Sequence, residues 1–462
     1  NPAGTRRRRV FRARPPVAAK NPELVTNLLS DCPADGIFLG VDFGTSGCRA
    51  VAINAGGELL AQAQTPLPAP EKHGAEVSQD PAQWWQALTQ VLKDILATVN
   101  REKVRALAVD GTSATLLLCD AQGRPLTPAL LYNDRRAVAP AARIAARAPQ
   151  QAAVHGPTSS LAKLLWFQDN GFARQAAHAL HQADWIAGRL TGAYGHSDYH
   201  NCLKLGYDAE QLTWPAWLAD LGVNTALLPQ VHAPGESLGS LHPGVAALLG
   251  LPPETQVRAG TTDGVAAFLA AGAHAPGHGV TSLGSTLVLK LVSDRPVFSP
   301  AHGVYSHRLG DLWLTGGASN SGGAVLAQYF SADELRALTP LLKPDVPTGL
   351  DYYPLPGTGE RFPVNDPALT PRLAPRPADR VVFLQGLLEG IARIEARGYE
   401  LLAELGAPQL TALWTTGGGA QNPAWERIRA RALKVEMRHA RSGQAAYGSA
   451  LLAAGVIARN FR

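Results

Sequence analysis

The residues "FLGVDFGTSG" (38–47) carry an apolar run into one carboxylate, Asp42, and then into Gly44, Thr45, Ser46 and Gly47. An ordinary tight turn needs no such run of small residues. Residues 37–42 predict one strand and 48–54 a second, so the small residues form the tip of a hairpin. The same design returns in the second half of the chain as "GVTSLGSTLVLKLV" (279–292). Two further apolar segments also end in an acid among small residues. "VRALAVD" (104–110) runs into Gly111, Thr112 and Ser113, and "QVRAGTTD" (256–263) carries Asp263 into an Ala-rich helix. Strands that alternate with helices predict an α/β fold, whose ligands sit outside the carboxyl ends of the strands.

A chain of 462 residues exceeds one ordinary core and predicts two domains. Asp80-Pro81 starts a helix over 81–99, with Trp84, Leu88, Val91, Leu92 and Ile95 at helical spacing. Residues 137–190 read as mostly helical, 197–208 as polar and irregular, and 331–380 as an irregular, proline-rich excursion. Residues 312–330 and 412–433 each read as strand, Gly-rich turn and helix, with the turns at Gly316-Gly317 and Gly417–Gly419. A long helix is predicted over 381–405 and a closing Ala-rich helix over 444–458.

The net charge of +5 is misleading, because residues 1–20 hold seven basic residues and no acid. The remainder is slightly acidic, which argues against a nucleic-acid-binding surface. Residues 1–36 read as a disordered basic tail, either an organellar transit segment or a basic arm. Cys32, Cys48, Cys119 and Cys202 are widely spaced without a CxxC, which argues against a disulfide scaffold or a zinc site. The longest apolar stretches, 264–272 and 447–458, are too short to span a bilayer, so a protein without membrane partners is expected.

Gly-rich turns at strand ends expose consecutive backbone N–H groups, which suit anions, and glycine lets a phosphate approach closely. Several such turns in one chain favour a nucleotide. There is no GxxxxGK[ST] and no well-placed GxGxxG, which excludes a P-loop and disfavours a dinucleotide site. Phosphoryl transfer needs an acid near Mg²⁺ and a group that accepts the nucleophile's proton. Asp42, beside hydroxyls and small residues, suits the metal. Asp263 reads either as that proton acceptor or as a helix N-cap.

The segments "GVDFGTSGCRAV", "YNDRR", "AGTTDGVAAFLA", "SLGSTLVL", "GGASNSGG" and "TTGGGAQNPAW", in this order, resemble the FGGY carbohydrate kinases. "VDGTSATLLLCD", "SSLAKL", "SDYHNCLKLGYD" and "GLDYYPLPGTGERFP" resemble, within that family, the D-ribulose kinase (xylulose-kinase-like) group of cyanobacteria and plastids. The resemblance implies a two-domain actin-like ATPase (ribonuclease H-like) fold with a central interdomain cleft. Residues 37–272 would form the sugar-side domain and 273–462 the nucleotide-side domain, acting on a small-molecule sugar with ATP and Mg²⁺.

By family position Asp263 matches the catalytic base, and Asp42 matches the first-hairpin acid near the metal and the transferred phosphate. Thr45 and Ser46 share that hairpin. Thr112, Ser113 and Asp134 are implied as sugar contacts with Asp42 and Asp263. Thr45, Gly284, Ser285, Gly316, Gly317, Gly418, Gly419, Asn422 and Trp425 are implied as ATP contacts. "GTS" at 111–113 departs from the Gln-Met-His or Gln-Ser of xylulose and glycerol kinases, which weakens a xylulose or glycerol assignment; D-ribulose is the expected sugar from the resemblance to the D-ribulose kinase group. D-xylulose or a pentitol is the alternative substrate, and a non-catalytic ATP-binding sensor the alternative class. A monomer or homodimer is expected, in the plastid stroma if the tail is a transit segment and otherwise in the cytoplasm.

Overall fold

The computed structural model describes residues 35–456 and 461; the expected tail, its transit reading and Cys32 fall essentially outside them. The described residues divide into two compact units, residues 35–270 with 444–456 and residues 271–443 with 461.

The main sheet of the first unit has six strands, β1 (Ile37–Phe43), β2 (Gly47–Asn54), β3 (Leu59–Pro66), β4 (Val104–Gly111), β5 (Ser237–Ser240) and β6 (Gln256–Thr262). Their order is β5-β6-β4-β1-β2-β3. β1 pairs antiparallel with β2 and parallel with β4, and β4 pairs parallel with β6. β1 is buried throughout and β4 everywhere but Arg105, as parallel strands covered on both faces must be. Helix α1 (Pro81–Leu96) starts where Asp80 accepts the Ala82 N–H at 2.9 Å. It stops short of the expected residue 99, and the Thr98 hydroxyl donates to the Ile95 carbonyl at 2.7 Å. The expected helical region at 137–190 is broken. α2 (Val138–Ala145), α3 (Ser160–Asp169) and α4 (Gln182–Thr191) are separated in part by a strand, His178–His181, paired antiparallel with Leu116–Cys119. α5 (Asp263–Ala271) begins directly after β6.

The second unit repeats the design. Its strands are β7 (His278–Leu283), β8 (Leu287–Ser293), β9 (Tyr305–Leu309), β10 (Leu312–Ser319), β11 (Ala412–Thr416) and β12 (Glu436–His439), in the order β9-β10-β8-β7-β11-β12. A central hairpin, β7–β8, again extends antiparallel on one side and parallel on the other. Gly316 and Gly317 lie inside β10, which corrects their reading as a turn. A Cβ at Gly316 would strike the Leu289 carbonyl, and one at Gly317 the Phe362 ring. Glycine within a strand here marks close approach. The real turn follows at Asn320–Gly322, before α6 (Gly323–Tyr329).

The expected irregular region at 331–380 contains one short helix, Ala332–Leu338. Ser331 and Glu334 close its first turn reciprocally, through bonds of 3.2 and 2.8 Å. The long helix α7 (Arg380–Glu404) buries Phe383, Leu387, Leu388, Ile391 and Ile394 in one core with Leu287, Leu289 and Leu291 of β8. α8 (Pro423–Leu433) follows β11.

The last described helix, α9 (Ala445–Ala453), returns to pack within the first compact unit. Small residues let it sit against the sheet backbone. A Cβ at Gly40 would collide with the Ala446 carbonyl and the Ala450 amide. The Tyr447 hydroxyl donates to the Gly57 carbonyl at 2.6 Å.

Candidate active site

Three neighbouring parallel strands of the first unit end at one level. Asp42 of β1 lies opposite Asp110 of β4, and Thr261 of β6 lies opposite Asp110 on its other side. Asp263 is the residue after the end of β6. The pairing register therefore brings Asp42, Asp110 and Asp263 to one sheet edge, the place where α/β folds bind ligands.

Their environments differ. Asp42 is 6% exposed and meets Arg49 at 3.2 Å. Its hairpin closes through Gly44 N–H to the Gly47 carbonyl at 3.0 Å, leaving Thr45 half-buried and Ser46 exposed at the tip. Asp263 is half-buried, and its carboxylate accepts the Gly264 N–H at 2.6 Å. Next to it, the Thr261 hydroxyl bonds to His200 Nδ1 at 2.7 Å, a fixed partner from the region read as irregular.

Asp110 is completely buried. Its Oδ2 accepts the Ser449 hydroxyl of α9 at 2.5 Å. Burial and then the adjacent Asp42 charge raise its pKa well above the carboxylate range, with Asp263 adding to the effect. Oδ1 has no hydrogen-bond partner among the described residues. The linkage sign follows. Above the ordinary aspartate pKa the unfolded chain releases the Asp110 proton while the folded chain keeps it, so stability falls as pH rises. Asp110→Asn keeps the neutral shape and removes that slope. Its melting temperature should therefore gain on the parent protein progressively between pH 4 and 8, as thermal melts across that range would record.

The turn after β4 is anchored on several sides. Thr112 donates from its backbone N–H and its hydroxyl to Gln182 Oε1, both at 3.1 Å, and the Thr112 and Thr115 hydroxyls share a bond of 2.6 Å. Thr112 is 7% exposed, whereas Ser113 is half-buried and the more accessible of the pair. Asp134, expected as a sugar contact, is engaged by other protein groups. Its side chain is fully buried, accepts the Val77 N–H at 2.6 Å and pairs with Arg136 at 2.9 Å. Gln182, His200, Lys163, Asp110 and Ser449 were missed as site residues. Only Asp110, an acid at a strand end, carried a local signal.

In the second unit the β7–β8 turn stacks on the segment before α6. Gly323 N–H donates to the Gly284 carbonyl at 2.8 Å, and Ala324 N–H to the Ser285 carbonyl at 3.0 Å. Gly322 has a φ of 139°, and a Cβ there would meet the Ser285 carbonyl at 2.8 Å. The turn after β11 packs alongside. Gly417 (φ 83°) would place a Cβ 2.6 Å from the Leu283 carbonyl, whereas Gly418 faces open space. Gly419 lies against Trp425, whose ring is 3% exposed in the unit's core and whose Nε1 has no partner among the described residues. Asn422 caps α8 by accepting the Trp425 N–H at 3.0 Å.

Two sheets built on central hairpins, the first with acids and both with small residues at their strand ends, define an α/β scaffold suited to an anionic ligand. Comparison with known proteins agrees. The N-terminal domain of the FGGY family of carbohydrate kinases matches residues 37–270, and its C-terminal domain matches residues 279–456. The chain belongs to the FGGY family of carbohydrate kinases, enzymes of the actin-like ATPase fold that phosphorylate sugars. It is 30% identical to a xylulose kinase of Streptomyces coelicolor over 442 residues, covering 91% of this chain and 88% of the relative. It is 28% identical to a xylulose kinase of Escherichia coli K12 over 413 residues, covering 85% and 84%. The solved structure of a xylulose kinase from Rhodospirillum rubrum superposes with a TM-score of 0.80 at 25% identity, covering 90% and 89%. Among the described residues no helix is long and apolar enough to cross a membrane.

Proposed function

We propose that this enzyme transfers the γ-phosphoryl group of ATP to the primary hydroxyl of a ketopentose, with D-ribulose as the preferred sugar. The observation that carries the reading is the accessibility of Asp263 beside two buried acids at one sheet edge. Asp263 takes the hydroxyl proton as that oxygen bonds to phosphorus and the bond to ADP breaks. A loose transition state asks little of the base and much of positioning. Thr112 and Ser113 hold the sugar at the β4 end. In the second unit, the turn at Gly284 and Ser285, closed by the Gly284 N–H on the Thr286 carbonyl at 3.2 Å, and the open space at Gly418 suit the nucleotide.

No group of three or more metal-ligating side chains occurs among the described residues. Mg²⁺ keeps several waters and takes one or two carboxylates plus phosphate oxygens. Asp42 would hold it, and the ion supplies charge neutralisation on the phosphates.

D-Xylulose is the second reading, favoured by the names of the relatives from Escherichia coli and Streptomyces coelicolor. A coupled ADP-release assay over ketopentoses, pentitols, gluconate and glycerol, with a no-sugar control, separates the readings. The expected result is the highest kcat/KM with D-ribulose. Highest kcat/KM with D-xylulose selects the second reading, and ATP turnover independent of sugar overturns both.

A further inference from the structure

Lys163 of α3 is fully buried, an uncommon place for an ammonium group. Its Nζ donates to the Ala114 carbonyl at 2.7 Å. Ala114 has a φ of 65°, the left-handed region that a residue with a Cβ enters at a cost. It directly follows Thr112 and Ser113, so its carbonyl is the handle by which the turn is held open. We propose that Lys163 is a positioning residue for the sugar, fixing the 112–115 turn through the Ala114 carbonyl. This rests on the reading of that turn as the sugar side of a kinase.

Three charged groups face the ammonium: Asp134 attracts it, while Arg136 and Lys204 repel it. Asp134 is itself held by Arg136 and the Val77 N–H. Asp134 therefore acts as the counter-charge of the lysine. Burial lowers the lysine pKa to about 7, and the Asp134 charge opposes that shift. An ammonium kept in such a place needs a task that a methionine of similar volume could not perform.

The test begins with the unmodified enzyme and the sugar panel. If it phosphorylates no sugar, the kinase reading fails and the role of Lys163 falls with it. With the best sugar in hand, Lys163→Met should raise the sugar KM about 10- to 100-fold, the range a charge-assisted hydrogen bond carries. The ATP KM should stay within about twofold, because the nucleotide groups lie on other turns. Lys163→Arg, which keeps charge and donors, should recover part of the loss. A folded Lys163→Met enzyme with unchanged sugar KM overturns the proposal, as does an equal rise in both KM values. If neither variant folds, by near-ultraviolet circular dichroism, Lys163 is a core-stabilising residue and the proposal is also overturned.

Discussion

Asp263→Asn should lower sugar phosphorylation by about 10²- to 10⁴-fold, the usual contribution of a positioned proton acceptor. ATP affinity should stay near that of the parent enzyme. The substitution keeps the side-chain shape and an oxygen able to accept the Gly264 N–H, so the start of α5 survives. What disappears is the capacity to accept a proton. The neighbouring acids cannot substitute. Asp110 is sealed from solvent, with its pKa raised by burial and by Asp42, and Asp42 is 6% exposed and paired with Arg49. Coupled ADP release gives kcat, and calorimetric titration with ATP gives the binding constant. If both fall together, Asp263 is a structural cap and the proton goes elsewhere.

The largest stability effect is expected in the second unit, at Glu395 and Arg429. The pair is at most 1% exposed and bonded in a fork, Nε to Oε2 at 2.7 Å and Nη2 to Oε1 at 2.6 Å. Thr281 of β7 donates to the same carboxylate at 2.6 Å, and Arg429 reaches the Thr415 hydroxyl of β11 at 2.7 Å. Four elements thus meet at one buried ion pair. Glu395→Gln leaves an unpaired guanidinium in the interior and should cost about 3–5 kcal/mol, measured as a lowered urea midpoint. Replacing both residues with Met should recover most of that loss, because it removes the stranded charge. A single substitution that costs less than about 1 kcal/mol would mean that water or another group reaches Arg429. The ATP KM should rise in the single variant, because the turns at 284–286 and 417–419 begin where β7 and β11 end.

Much of this was legible in the sequence, for a physical reason. A strand tip that receives an anion must be built from small residues, and an acid there stands out against an apolar run. Asp42, Asp263, Gly284 and Ser285 stand out on those terms and are proposed as site residues. Gly316-Gly317 misled, because the run "GGASNSGG" holds two glycine pairs and local composition does not say which one turns. The first pair lies against Leu289 and Phe362, and the second marks the turn. Gln182 left no trace, and Lys163 stood within "SSLAKL" without its contact being legible, since each reaches its turn from a helix far along the chain. The Ala-rich character of α9 announced close packing, but small residues carry no address, and its destination in the first unit was hidden.

That destination has a consequence for the order of events at the ribosome. The sheet containing β1 leaves the exit tunnel early, yet the helix that covers its backbone at Gly40, and that brings Ser449 to Asp110, is translated after the whole second unit. Throughout that interval the nascent amino-terminal half carries an uncovered apolar surface. A polypeptide released before residue 445 would keep it so, a natural target for chaperone capture.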